Sequence, residues 1–215
     1  MWEIEQQMKT PAIWKKVLFE GRKVVTSKEI AELAGRLGKD GGRSVSYLQE
    51  HGYIVRIARG VYYVRSADER ERGFHDWSVY DMVAEAMGMK KIKRWYFGLE
   101  TALKLNGMTH EYFAVDSVIT DSAWTSKPAS VLGAKFHFFK WGAHHFGFGT
   151  IRKGRLAYSD PEKTALDLAY RAHRNKNGSP KAIIEEHIDR LDRGKLSKYL
   201  GRYPKRFQNA LGELQ

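Results

Sequence analysis

No cysteine occurs in the 215 residues. Disulfides and thiolate zinc sites are thereby excluded, and the composition fits a reducing cytoplasm. No run of about eighteen apolar residues exists, so no membrane-spanning helix is expected. The leading residues, MWEIEQQMKT, lack the basic-then-apolar order of a secretion signal. No internal repeat and no low-complexity tract is present. Acidic side chains are in deficit, 25 against 37 Lys and Arg, for a formal net charge of +12. Nucleic acid is the first partner class such a charge suggests. The excess is spread along the chain, at +4 over residues 1–75, +3 over 76–173 and +5 over 174–215. It therefore describes a whole surface and singles out no segment.

Catalytic signatures are also missing. Gly142, Gly147 and Gly149 in KWGAHHFGFGTIRKGR lack the spacing of a phosphate loop and read as bends between strands. His137, His144 and His145 have no carboxylate or cysteine at ligand spacing, so neither metal nor cofactor is expected. Asp116 and Asp121 are separated by four residues, which is wrong for paired metal carboxylates on one strand. Asp160-Pro161-Glu162-Lys163 superficially resembles a nuclease triad. On a helix, however, its adjacent glutamate and lysine point about 100° apart, and a helix cap accounts for the aspartate and proline. No Ser-His-Asp or Cys-His arrangement can be drawn. No enzyme is expected. Phe136, Phe138, Phe139, Trp141, Phe146 and Phe148 interleave with Lys135, Lys140, Arg152, Lys153 and Arg155. That pattern suits either a stacking platform for single strands or a sheet core with a basic edge. The core reading is preferred, because a small sheet must bury large side chains somewhere.

What is present is a continuous pattern from Val24 to Val64, VVTSKEIAELAGRLGKDGGRSVSYLQEHGYIVRIARGVYYV. Val24 and Val25 suit a short strand. Thr26 with Glu29 three residues on forms a capping box, and Ile30, Leu33 and Ala34 give the following helix one apolar stripe. Gly35, Gly38, Gly41 and Gly42 mark a long turn. A second helix runs from about Arg43 to His51 and stops at Gly52. Ile54–Ile57 and Val61–Val64 flank Ala58-Arg59-Gly60 as a hairpin. Helix, turn, helix and hairpin in this order make a winged helix-turn-helix.

On the second helix Val45 and Leu48 face inward, and Arg43, Ser46, Tyr47 and Glu50 lie opposite. Arg43 suits a guanine edge or a phosphate, and Ser46 a base or the backbone. Tyr47 offers a hydroxyl and a ring for a thymine methyl. Glu50 sits away from the duplex or accepts from a cytosine. Arg56, Arg59 and Arg65 are spaced along the hairpin to track a sugar-phosphate backbone, with Arg59 at the tip able to enter a minor groove.

A helix over Met8–Phe19, with Pro11 early in it, precedes this module. Ser66 to His75 is either the domain boundary or a solvated helix start. Helices are expected over Trp77–Met87 and Tyr96–Leu105, and strands over Phe113–Thr120 and Lys135–Lys140. A hairpin is expected from Thr150–Arg152 and Arg155–Tyr158. Asp160-Pro161-Glu162 starts a helix to about His173, with Ala165, Leu168 and Ala169 inward. Further helices follow from Ser179-Pro180, over Lys195–Leu200 and over Pro204–Leu211. The fold class is α+β: a winged helix-turn-helix domain over residues 1–75, then a C-terminal α+β domain over 76–215 with a small mixed or antiparallel sheet.

Three stretches, taken in order, resemble a known family. They are VTSKEIAELAG with GYIVRIARGVYYV, then YFGLETALKLNGMTHEYFAVDSVITDS, then RLAYSDPEKTALDLAYRAH. In this order they resemble the AbiEi antitoxin family, the transcriptional-regulator half of abortive-infection type IV toxin–antitoxin pairs. The resemblance implies a winged N-terminal domain that binds inverted repeats in its own promoter and represses it. Inverted repeats leave room for cooperative or dimeric binding. It also implies a C-terminal domain needed to neutralise a cognate nucleotidyltransferase-like toxin. Mapped onto this chain, it assigns Thr26, Ser27, Arg43, Ser46, Tyr47 and Arg59 to DNA. The long glycine turn and the basic C-terminal end depart from the family's pattern. Two alternatives stand beside this reading: a nucleic-acid-targeting enzyme, and a winged-helix adaptor that docks a protein.

Overall fold

The computed structural model describes residues 2–122 and 127–212. The chain forms two compact units, residues 1–91 with 130–133, and residues 92–129 with 134–215.

The first unit opens with α1 (Trp2–Phe19), which carries Pro11 in its interior rather than in its first turn. β1 (Val24–Thr26), α2 (Ser27–Arg36), α3 (Gly41–Glu50), β2 (Ile54–Ala58) and β3 (Val61–Val64) follow in the order expected from the sequence. The strands form an antiparallel sheet in the order β1-β3-β2, with Val25 opposite Tyr62 and Val55 opposite Tyr63. Ile13, Trp14, Val17, Ile30, Ala34, Leu48, Ile54 and Val64 form the core beneath it. The expected long glycine turn is not found. Gly35 lies inside α2, and Gly41 and Gly42 open α3, leaving only residues 37–40 between the helices. The reason is steric. A Cβ on Gly41 would stand 2.5 Å from the Cβ of Ala31, so the missing side chain lets α3 begin directly against α2.

Ser66 and Glu69 form a second capping box, which starts α4 (Ala67–Arg72). Glu69 is fully buried. Its carboxylate accepts from the Ser66 amide at 2.7 Å, the Asp76 amide at 2.8 Å and Lys23 Nζ at 2.9 Å, and from the Tyr63 hydroxyl. Burial alone would raise this carboxyl, but those bonds outweigh it and hold its pKa at about 2. α5 (Val79–Met89) packs on β2 and β3, so the first unit runs past His75 to Lys91.

The second unit contains β4 (Trp95–Phe97), α6 (Leu99–Leu105), β5 (Val115–Thr120), the first residue of β6 (Ala129–Val131, whose Ser130 and Val131 fall in the first unit), β7 (Ala134–Lys140), β8 (Thr150–Lys153) and β9 (Leu156–Ser159). α7 (Pro161–Asn175), α8 (Pro180–His187), α9 (Arg193–Leu200) and α10 (Lys205–Leu211) complete it. The sheet order is β6-β7-β5-β4-β9-β8. It is mixed: β5 with β7 and β4 with β9 run parallel, while β4 with β5 and β8 with β9 run antiparallel. The expected helix over Tyr96–Leu105 is therefore divided. Its aromatic start becomes β4, because Tyr96 and Phe97 are buried in the sheet between β5 and β9. Gly98 makes the break, since a Cβ there would meet Ile119 at 2.7 Å.

α7 is the core helix, with Ala165, Leu166, Leu168 and Ala169 buried. It also buries charge. Lys163 donates to Asp167 at 3.2 Å, and both are 0% exposed. Asp167 accepts in addition from Tyr96 at 2.8 Å and Tyr203 at 2.6 Å. Burial pulls the Lys163 ammonium below its ordinary range against the pull of Asp167. Among the described residues no helix is long and apolar enough to cross a membrane.

Candidate nucleic-acid interface

The order of β1, α2 and α3 begins with the Thr26 cap. Its hydroxyl accepts from the Glu29 amide at 3.2 Å, and the Glu29 carboxylate accepts from the Thr26 amide at 2.7 Å. Burial pushes the Glu29 carboxyl up, but the bonds from Thr26 and Arg22 outweigh it and hold it below its usual range. Thr26 is thus occupied inside the fold and sets the position of Ser27, the first residue of α2.

α3 is capped by Asp40, whose carboxylate accepts from the Arg43 amide at 2.8 Å. Ser44 and Leu48 are buried and seat the helix. Its exposed residues are Gly42, Arg43, Ser46, Gln49 and Glu50, and steps of three and four place them on one stripe. Gln49 was missed from the sequence. It lies three residues beyond Ser46, and its amide has the donor–acceptor pair that adenine's major-groove edge requires. That helical step is the signal that could have found it.

Tyr47 does not share this stripe. It is half-buried against the core, with its ring 4.0 Å from His51 and 6.4 Å from Tyr53. Tyr53 in turn lies 5.0 Å from Trp14, with the Arg70 guanidinium 3.7 Å above it. An aromatic cluster offers Tyr47 more buried area than the open face does.

On the hairpin, Arg56 and Arg59 are exposed. The tip is fixed to α2, because the Ser27 amide donates to the Gly60 carbonyl at 3.0 Å. Arg65 is turned inward, with Nη2 donating to the Glu69 carbonyl at 2.7 Å and Nε buried without a hydrogen-bond partner among the described residues. Two groups result: Arg43, Ser46 and Gln49 along α3, and Ser27 with Arg59 where α2 meets the hairpin. α3 packs on β2, the strand that carries Arg56. Thr26, Tyr47 and Arg65 are engaged within the fold instead.

Asp160, Glu162 and His145 have structural partners. Asp160 caps α7 through the Lys163 amide at 3.0 Å and meets Lys195 at 2.8 Å, and Glu162 meets the same Lys195 at 2.7 Å. His145 is buried among Trp141, Tyr170 and Tyr203. Burial, helped by the neighbouring His144, Lys163 and Arg174, lowers its pKa to about 3. Among the described residues no group of three His, Cys, Asp or Glu is placed to hold a metal.

The fold is shared with the RV2827C protein from Mycobacterium tuberculosis. Its crystal structure matches at a TM-score of 0.58 and 14% identity, covering 94% of this chain and 76% of that one. No curated protein matches the chain. At the level of family, residues 18–65, which hold α2, α3 and the hairpin, match the transcriptional regulator, AbiEi antitoxin.

Proposed function

We propose that the first unit is a winged helix-turn-helix that binds double-stranded DNA, and that the protein represses its own promoter as the antitoxin of a toxin–antitoxin pair. The observation that carries this reading is the stripe Arg43, Ser46 and Gln49, exposed on a helix whose opposite side is seated by Leu48. α3 would enter the major groove, with Arg43 and Gln49 on base edges and Ser46 on a base or the backbone. Arg56 and Arg59 would meet phosphates, and the Ser27 hydroxyl at the start of α2 would add a contact to the backbone. The family match supports the regulatory role. The second unit would act against the toxin, a nucleotidyltransferase-like partner, without catalysing a reaction. The net charge of +12 favours approach to a polyanion.

Binding to the DNA upstream of the gene tests the reading. Arg43→Ala and Gln49→Ala should each weaken it by about 1–3 kcal/mol and relax preference at one position if they read bases. Affinity indifferent to both changes would contradict it. An adaptor that docks a protein instead would show no salt-dependent duplex affinity at all.

A further inference from the structure

We propose that the second unit binds a nucleotide in a cavity beside the start of its sheet. The cavity is open and has a volume of about 640 Å³, within the range of small-molecule sites. Its walls come from three places: residues 93–96 leading into β4, the loop 146–149, and β8 with Arg152.

The lining combines two chemistries. Lys93, Arg94 and Arg152 are exposed cations, and no carboxylate lines the cavity. Arg94 leans toward Asp121 at 3.5 Å, while Lys93 and Arg152 have no ion-pair partner among the described residues. Trp95, Phe146 and Phe148 add aromatic surface and are only half-buried. Of the rest of the aromatic run, Phe139 alone is also half-buried, and it does not line the cavity. Phe136, Phe138 and Trp141 go into the interior, as a sheet core requires. Phe146 and Phe148 stay at the cavity, joined by Trp95 from a different part of the sequence.

The walls are held in place. Trp95 packs edge-on against Phe97 at 5.4 Å, Phe146 against Tyr96 at 5.6 Å and Phe148 against Tyr199 at 5.1 Å. Gly149 has φ +58, and a Cβ there would come within 2.8 Å of Lys163, so the loop presses directly on α7. A flat ring stacked on aromatics, with phosphates on unpaired cations, is the ligand these features suit. The shared chemistry is a nucleoside phosphate, either free or as one unit of a single strand.

Calorimetry on the full chain tests this with each of the four ribonucleoside triphosphates, a ten-nucleotide oligothymidylate and inorganic tripolyphosphate. The oligothymidylate arm uses the Arg43→Ala, Arg59→Ala protein, so that the winged module does not contribute. A nucleoside triphosphate should bind at one site with Kd below about 1 mM, more tightly than tripolyphosphate. Arg152→Glu and Lys93→Glu should each weaken it about tenfold or more, with unchanged thermal unfolding. If only oligothymidylate binds and Arg152→Glu weakens it, the proposal holds with the strand as the source. Equal affinity for tripolyphosphate and nucleotides would overturn it. So would binding indifferent to both charge reversals, or no binding of any probe.

Discussion

Gly41 and Ala31 stand so close that a Cβ on the glycine would lie 2.5 Å from that of the alanine. α2 and α3 touch at that point, and it fixes how α3 presents Arg43. Gly41→Ala should therefore cost about 1–3 kcal/mol by overpacking and weaken duplex binding with it. Gly42→Ala is the internal control. There the nearest atom is Asp40 Oδ1 at 3.4 Å, an ordinary contact, so stability should be nearly unchanged or slightly raised. Urea unfolding of both variants checks the contrast.

Acid should weaken the protein in two stages. His145 is held neutral, with its pKa lowered from 6.5 to about 3, so the unfolded chain binds a proton over that window and the folded one does not. The stability it contributes is complete above pH 6.5 and declines as pH falls toward 3, by roughly 2 kcal/mol at pH 5. Glu69 acts lower. Its pKa falls from 4.5 to about 2 on folding, so its contribution is complete above pH 4.5 and is lost toward 2. Denaturant midpoints measured across pH should fall in the first window for the native chain and fall less steeply there for His145→Phe, in which the His75 imidazole, also lowered by burial, still titrates. Glu69→Gln should cost about 1–3 kcal/mol at neutral pH, because Lys23 and Tyr63 lose a charged acceptor.

The Lys163–Asp167 pair predicts an asymmetry. Asp167→Asn leaves a buried ammonium without its counter-charge and should cost about 3–5 kcal/mol. Replacing both, as Lys163→Met with Asp167→Asn, should recover much of that loss, since no buried charge remains. Unfolding free energies of the single and double variants form the cycle that checks it.

Much of this was legible in local sequence. Thr26 and Glu29 announce the start of α2, Asp160-Pro161 announces α7, and Arg59-Gly60 marks the hairpin, because caps and tight turns are decided within a few residues. The misses share a different cause. β4 is three aromatics with no period of their own, and only pairing with β5 and β9 makes them a strand. Arg65 looks free on a hairpin until the Glu69 carbonyl takes it. Tyr47 leaves the open face because Tyr53 and Trp14 are waiting beneath. α5 extends the first unit because it packs on β2 and β3, which no pattern within residues 76–91 reveals. Gln49 was within reach, since it needed only one more step along the helix face.

Duplex affinity measured against salt concentration, for the native chain and for Arg59→Ala, tests the central claim most directly. Log affinity should fall linearly with log salt for the native protein, and the slope should drop by about one unit in the variant if Arg59 meets one phosphate. A native slope near zero, or one that Arg59→Ala leaves unchanged together with the affinity, would contradict the assignment of the hairpin to DNA.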